Sequence, residues 1–277
     1  MKIALAFYGQ PRFIKNPVVL ETYKKYYLDK YDCDVFAHMW WGEPQNYKVA
    51  LHVKNKGEMI SPDSLDYFNE NYNPVTIETE PPKEFIPTDV VKESLDRRFT
   101  GKYPHVGSHA HQPLNYWSDI TYSNAFSQMY SIQKSSRMVM EHASKLNIEY
   151  DFVVQARYDT MLFDIPDLTE CEKKLHLPNH HGRFPDLHLF FAHKHLDWAG
   201  NIFDDIETVY DRIDRPGCER WKFESFKNRF PLSDINPVAM DGMCVRSIDD
   251  NEKNSISGFC YQHRETQKAI DARGYYK

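Results

Sequence analysis

The sequence predicts an α/β protein: a mostly parallel sheet flanked by helices. Residues 1–41 read as strand, helix, strand, which is one βαβ unit and favours parallel pairing through a right-handed crossover. A long amphipathic stripe from about Ser118 to Asn147 then runs directly into the apolar stretch Phe152-Val153-Val154, so a helix again delivers a strand. No sequence repeat or low-complexity segment competes with this reading.

The elements follow in order. Ile3 to Tyr8 is an apolar run ending at Gly9, and Gln10-Pro11-Arg12 marks the turn after a buried first strand. A helix starts at about Pro17, with Val18, Leu20, Tyr23, Tyr27 and Leu28 as its apolar positions. Cys33 to Trp41 is the second strand. Ser61-Pro62-Asp63 supplies an N-cap, a proline at the first helical position and an acidic first turn for a short helix to Tyr72. Val75 to Glu78 reads as a third strand. Pro81 to Pro113, with its prolines and the His105, His109, His111 group, reads as a long loop or subdomain over the sheet. In the long helix Met129, Ile132, Ser136, Val139, Ala143 and Leu146 alternate at spacings of 3 and 4, one stripe facing a core, and Asn147 is an end signal. Met161 to Ile165, Leu175 to Leu177 and Leu187 to Ala192 are extended; Trp198 to Tyr210 and Cys218 to Arg229 are helical. From Met243 onward the tail has short alternating pieces, with no core signal after Tyr261.

At 277 residues the chain has room for one large domain or two small ones, and the expectation is one, with halves at about 1–165 and 166–277. A hydrophobic fraction of 41% and a charged fraction of 27% are ordinary for a globular protein. The net charge of -6 argues against wholesale binding to nucleic acid or an anionic membrane; an anionic ligand needs cations concentrated locally. The 5 cysteines include no Cys-x-x-Cys pair, so reduced thiols and a cytoplasmic location are expected. No stretch reaches the roughly 20 apolar residues of a membrane span. The apolar start is short and lacks a cleavage site, so it reads as a strand and not a signal peptide.

Chemistry concentrates where the strands end. In an open α/β sheet ligands bind beyond the carboxyl ends of the strands. There the run Phe152–Val154 leads into Arg157 and Asp159, an arginine able to hold phosphate bidentately and an aspartate able to hold a divalent cation. A structural ion pair is the bland alternative for these two. Tyr8-Gly9-Gln10 and Arg12 end the first strand, where backbone can approach a phosphate. Trp40 or Trp41 ends the second strand, where alternation buries one ring and leaves the other for a base or sugar. Lys134, four residues from Tyr130 on one helix face, either reaches a phosphate or is solvated. The histidines at 180, 181, 188, 193 and 195 match no zinc-protease pattern and read as polar surface; His193 and His195 would share a face on a strand. No dinucleotide fingerprint, Walker loop or nucleophile elbow occurs.

Four segments in order, KIALAFYGQPRF, DVFAHMWW, the helix with QMYSIQKS, and YDFVVQARYD, resemble a family of glycosyltransferases found in bacteria, large viruses and phages. The likeness covers residues 1 to 165 and is loose beyond, around PDLHLFFAHKH. The resemblance implies a GT-A-type, Rossmann-like fold and transfer of a sugar from a nucleotide-diphosphate-sugar donor to a glycan hydroxyl. It aligns Arg157-Tyr158-Asp159 with an Asp-x-Asp metal motif, with Arg157 in place of the first aspartate. It thus implies Mn²⁺ or Mg²⁺ at Asp159, completed by a late histidine, His263, or else direct neutralisation of the diphosphate by Arg157. An inverting transfer needs a carboxylate to take the acceptor proton, and Asp186 and then Asp241 are the candidates. Two alternatives stay open on the same sheet: a nucleotidyltransferase-like enzyme, and a non-catalytic carbohydrate-binding module on a degenerate transferase fold.

Overall fold

The structure is a computed structural model; it describes residues 1–42, 60–99, 119–178, 184, 188–213, 218–238 and 240–244. Strands β1 (Lys2–Gly9), β2 (Asp32–Trp40), β3 (Thr76–Glu80), β4 (Phe152–Arg157), β6 (Leu175–Pro178), β7 (Leu189–Phe191) and β8 (Ile235–Val238) form one sheet in the order β3-β2-β1-β4-β7-β6-β8. β1 pairs parallel with β2 and β4, β2 with β3, and β6 with β8; β7 runs antiparallel to both β4 and β6. One reversed strand therefore sits in an otherwise parallel sheet, which is mostly parallel as the sequence predicts. The pairing of β4 with β7 joins strands from both halves of the chain. A separate ribbon of β5 (Thr160–Phe163) and β9 (Asp241–Cys244) leaves the sheet immediately after β4.

Alternation along the central strands feeds two cores. Ile3, Leu5 and Phe7 pack with Phe152, Val154 and Ala156 against α1 (Pro17–Tyr23) and α2 (Ser64–Tyr72). Ala4, Ala6 and Tyr8 pack with Phe36 and Val153 against α4 (Asp119–Leu146), α5 (Leu196–Asn201) and α7 (Cys218–Arg229). Asn16 caps α1, its side chain accepting from the Val18 amide at 3.0 Å, with Pro17 at the first helical position. Past Tyr23 the helix widens into one π-turn, Lys24–Leu28. α4 carries the expected stripe, except that Leu146 is exposed, and Asn147 ends it in the left-handed conformation (φ 52°).

Several expectations change. α2 begins at Ser64 behind Asp63, so Pro62 lies in the preceding turn and not at the first helical position. The supposed loop after residue 81 contains α3 (Asp89–Phe99), whereas His105, His109 and His111 lie outside the described residues. The helical stretch after Trp198 is broken into α5 and α6 (Ile206–Val209). His193 and His195 sit in a single 3-10 turn, not on a strand, so they share no sheet face. His188 and His195 are buried rather than surface residues. Cys33 and Cys171 are free thiols, and no helix among the described residues is long and apolar enough to cross a membrane.

His188 makes a prediction about pH. Its Nε2 lies 2.6 Å from the Tyr27 hydroxyl, and burial pushes its pKa from 6.5 down to about 3. Below the unfolded value the unfolded chain takes a proton that the fold refuses. The contribution is thus full above pH 6.5 and is lost as the pH falls toward about 3. The melting temperature of the wild type should fall more steeply with acid than that of His188→Gln. Parallel curves for the two proteins would reject the assignment.

Candidate functional site

The chain order creates a switch point. From β1 the chain moves outward to β2 and β3, then returns through α4 to β4 on the other side of β1. The carboxyl ends of β1 and β4 thus part at the place where open sheets bind ligands. Tyr8 stands opposite Arg157 in the register, and the turns beyond each strand face each other across that gap.

The first turn is held from inside. Gly9 has φ 102°, and nothing lies within 4 Å of where a Cβ would stand, so its conformation and not crowding calls for glycine. Its amide donates to Ser131 Oγ at 2.8 Å. Gln10 is half-buried in the turn. Arg12 opens a turn fixed by the buried side chains of Phe13 and Ile14, and Phe13 adopts φ 55° to reverse the chain.

Arg12, Arg157 and Asp159 meet in this gap. Asp159 is 2% exposed, and its Oδ2 accepts from Arg12 Nε at 2.6 Å. Arg157 donates from Nε to Oδ1 at 2.9 Å and from Nη2 to Oδ2 at 3.0 Å, a bidentate fork. The arginine side chains are 15% and 12% exposed. Among the described residues, two guanidinium groups converge on the Asp159 carboxylate at the tip of the sheet. The terminal nitrogens of Arg12 have no partner among the described residues. The residue between, Tyr158, points to the opposite face, buried, with its hydroxyl donating to the His38 carbonyl at 3.0 Å. Chemically, such an arrangement can meet an oxyanion, with Asp159 orienting the guanidinium groups.

A second polar cluster lies beside it at the ends of β2 and β3. His38 is buried, with Nδ1 2.7 Å from Ser131 Oγ and Nε2 3.2 Å from Glu80 Oε1. With His38 Nε2–H donating to Glu80, Ser131 donates to Nδ1 and still accepts the Gly9 amide, so the line from Glu80 to the first turn is consistently bonded. Burial lowers the His38 pKa, partly offset by Glu80, and so favours this neutral form. Burial raises the Glu80 pKa, but bonds from Lys83, Tyr130 and His38 outweigh it and hold the carboxyl at about 2. Sequence reasoning missed Ser131, His38 and Glu80 as supports of the first turn; the acidic end of β3 was the only local signal for the last.

Trp40, Trp41 and Lys134 make their described contacts within the protein. Trp40 is 3% exposed and stacks on Tyr130 at 5.6 Å and 19°, with Phe85 against its edge, so its ring is covered by protein. Trp41 is buried too, in the other core, so alternation exposes neither. Lys134 pairs with Glu78 at 2.5 Å and approaches Glu80 at 3.6 Å, which turns it from the gap between β1 and β4. Asp186 and His263 lie outside the described residues. Asp241 pairs in β9 opposite Phe163, at the end of β5 away from Asp159, roughly 10 Å of strand beyond Thr160.

The described residues do not fit a divalent cation at Asp159. Both of its oxygens accept from guanidinium groups. A dication bound to it would stand about 5 Å from each arginine, a repulsion on the order of 7 kcal/mol apiece at an effective dielectric of 20. Among the described residues no group of three His, Cys, Asp or Glu is placed to hold a metal ion.

No family model matches the chain, and no curated protein does. Among solved structures it is similar to one described as the "crystal structure of a glycosyltransferase involved in the glycosylation of the major capsid of PBCV-1". The TM-score is 0.32 and the identity 8%, over 85% of this chain and 81% of that one. A likeness that distant says nothing about activity.

Proposed function

We propose that the protein is a glycosyltransferase that moves a sugar from a nucleotide-diphosphate-sugar to a glycan hydroxyl. The observation that supports this is the Arg12–Asp159–Arg157 cluster at the switch point, where a diphosphate would meet two guanidinium groups. The sequence resemblance over residues 1 to 165 supplies the reaction class. In the transfer the bond between the anomeric carbon and the diphosphate oxygen breaks, and its electron pair leaves with the diphosphate. The acceptor oxygen bonds the anomeric carbon, and its proton passes to a carboxylate, for which Asp186 and Asp241 remain the proposals. The arginines stabilise the leaving charge, and the fixed turns hold the donor in line.

The test is release of nucleoside diphosphate from a panel of nucleotide sugars, with and without glycan acceptors. Release that depends on acceptor and yields an extended glycan is expected. Pyrophosphate release from a nucleoside triphosphate and a sugar phosphate would instead make it a nucleotidyltransferase. Glycan binding without turnover of any donor would leave a binding module.

A further inference from the structure

We propose that this site takes its nucleoside diphosphate without a divalent cation, Arg12 and Arg157 supplying the charge that a metal would bring. The proposal rests on the donor reading above and specifies how the diphosphate is held. An Asp-x-Asp motif offers a metal two carboxylates; here the first position is Arg157, and the second, Asp159, bonds the arginines through both oxygens. Asp159 is buried and accepts three N–H bonds, at 2.6, 2.9 and 3.0 Å, which suits a carboxylate that orients cations more than one that offers open lone pairs to a metal. Arg12, partly exposed, keeps its terminal nitrogens without a partner among the described residues, and these form the fork that matches two phosphate oxygens. The turn carrying Arg12 is fixed by buried Phe13 and Ile14 and by the Gly9–Ser131 bond, so the fork is pre-positioned and little order must be gained on binding.

The experiment is calorimetric titration of the full chain with UDP, GDP, CDP, TDP and ADP, in EDTA and again with millimolar MnCl2 or MgCl2. The expected result is that the diphosphate which binds does so in EDTA, with a Kd within about threefold of that in metal, since a guanidinium fork needs no third ion. Arg12→Ala should weaken binding about tenfold or more in both buffers, as loss of a charge-assisted pair does. Arg12→Lys, which keeps the charge and loses the fork, should recover part of it. Binding that appears only with metal, or an Arg12→Ala defect that metal repairs, would overturn the proposal and leave the donor reading standing. Absence of binding by all five diphosphates in every buffer would overturn both.

Discussion

Asp159→Ala should abolish turnover and lower the melting temperature together. Alanine removes the carboxylate on which two partly buried guanidinium groups converge. Breaking a buried pair from one side costs about 3–5 kcal/mol because the remaining charge is left uncompensated. The arginines keep 15% and 12% exposure and so recover some hydration, which places the cost near the low end. That is roughly 6–10 °C for a chain of this size. Turnover should fall at least about a hundredfold, since arginines that repel each other no longer converge on one phosphate group. Asp159→Asn keeps the shape and one acceptor oxygen, so it should lose less stability while still losing activity. A thermal melt and a kcat/KM measured on the same samples decide the matter. If Asp159→Ala melts early yet turns over normally, the cluster is structural; if it changes neither quantity, the site is elsewhere.

The parts of the fold that showed in the sequence are those whose burial is regular over a long stretch. β1, β2 and β4 are near-continuous apolar runs because helices cover both faces, and α4 repeats its stripe over about four turns. α3 was hidden because only Val91 and Ser94 of its described side chains are buried and prolines precede it, so no stripe stands out. β8 contains Pro237, which argues against a central strand; it survives because β8 is the last strand of the sheet. The reversal of β7 left no mark, since three apolar residues read alike in either direction. At the site, local spacing revealed Arg157 beside Asp159, but Arg12 reaches Asp159 from 147 positions away. The same limit applies to Trp40: its position at a strand end was legible, but the ring that covers it, Tyr130, comes from α4.

Phe7→Ala should be the most costly of the core substitutions near the site, and its effect should reach the arginines. Phe7 lies two residues before Gly9, fully buried, with ring centroids of Tyr23, Tyr72, Phe68 and Tyr158 at 5.0, 5.1, 5.3 and 5.5 Å. Removing a buried phenyl ring costs about 3–5 kcal/mol, the transfer term plus a cavity. Four aromatic neighbours are stiff and close poorly on the void, so the upper half of that range is expected. Tyr158 is the neighbour that matters for function, because it stacks on Phe7 at 27° and separates Arg157 from Asp159 in the chain. Its hydroxyl also ties this turn to the His38 carbonyl at 3.0 Å. A turn that loses its packing on one face holds the arginine fork less firmly, so kcat/KM should fall at temperatures where the variant is still folded. Phe7→Leu fills most of the space and should cost less than about 1.5 kcal/mol, with near-normal turnover. Chemical denaturation gives the stability change, and donor titration at low temperature gives the functional one. A Phe7→Ala protein as stable as the wild type would mean the aromatic cluster does not hold this end of the sheet; one that is destabilised yet binds diphosphate normally would mean the fork is held by Phe13, Ile14 and Ser131 alone.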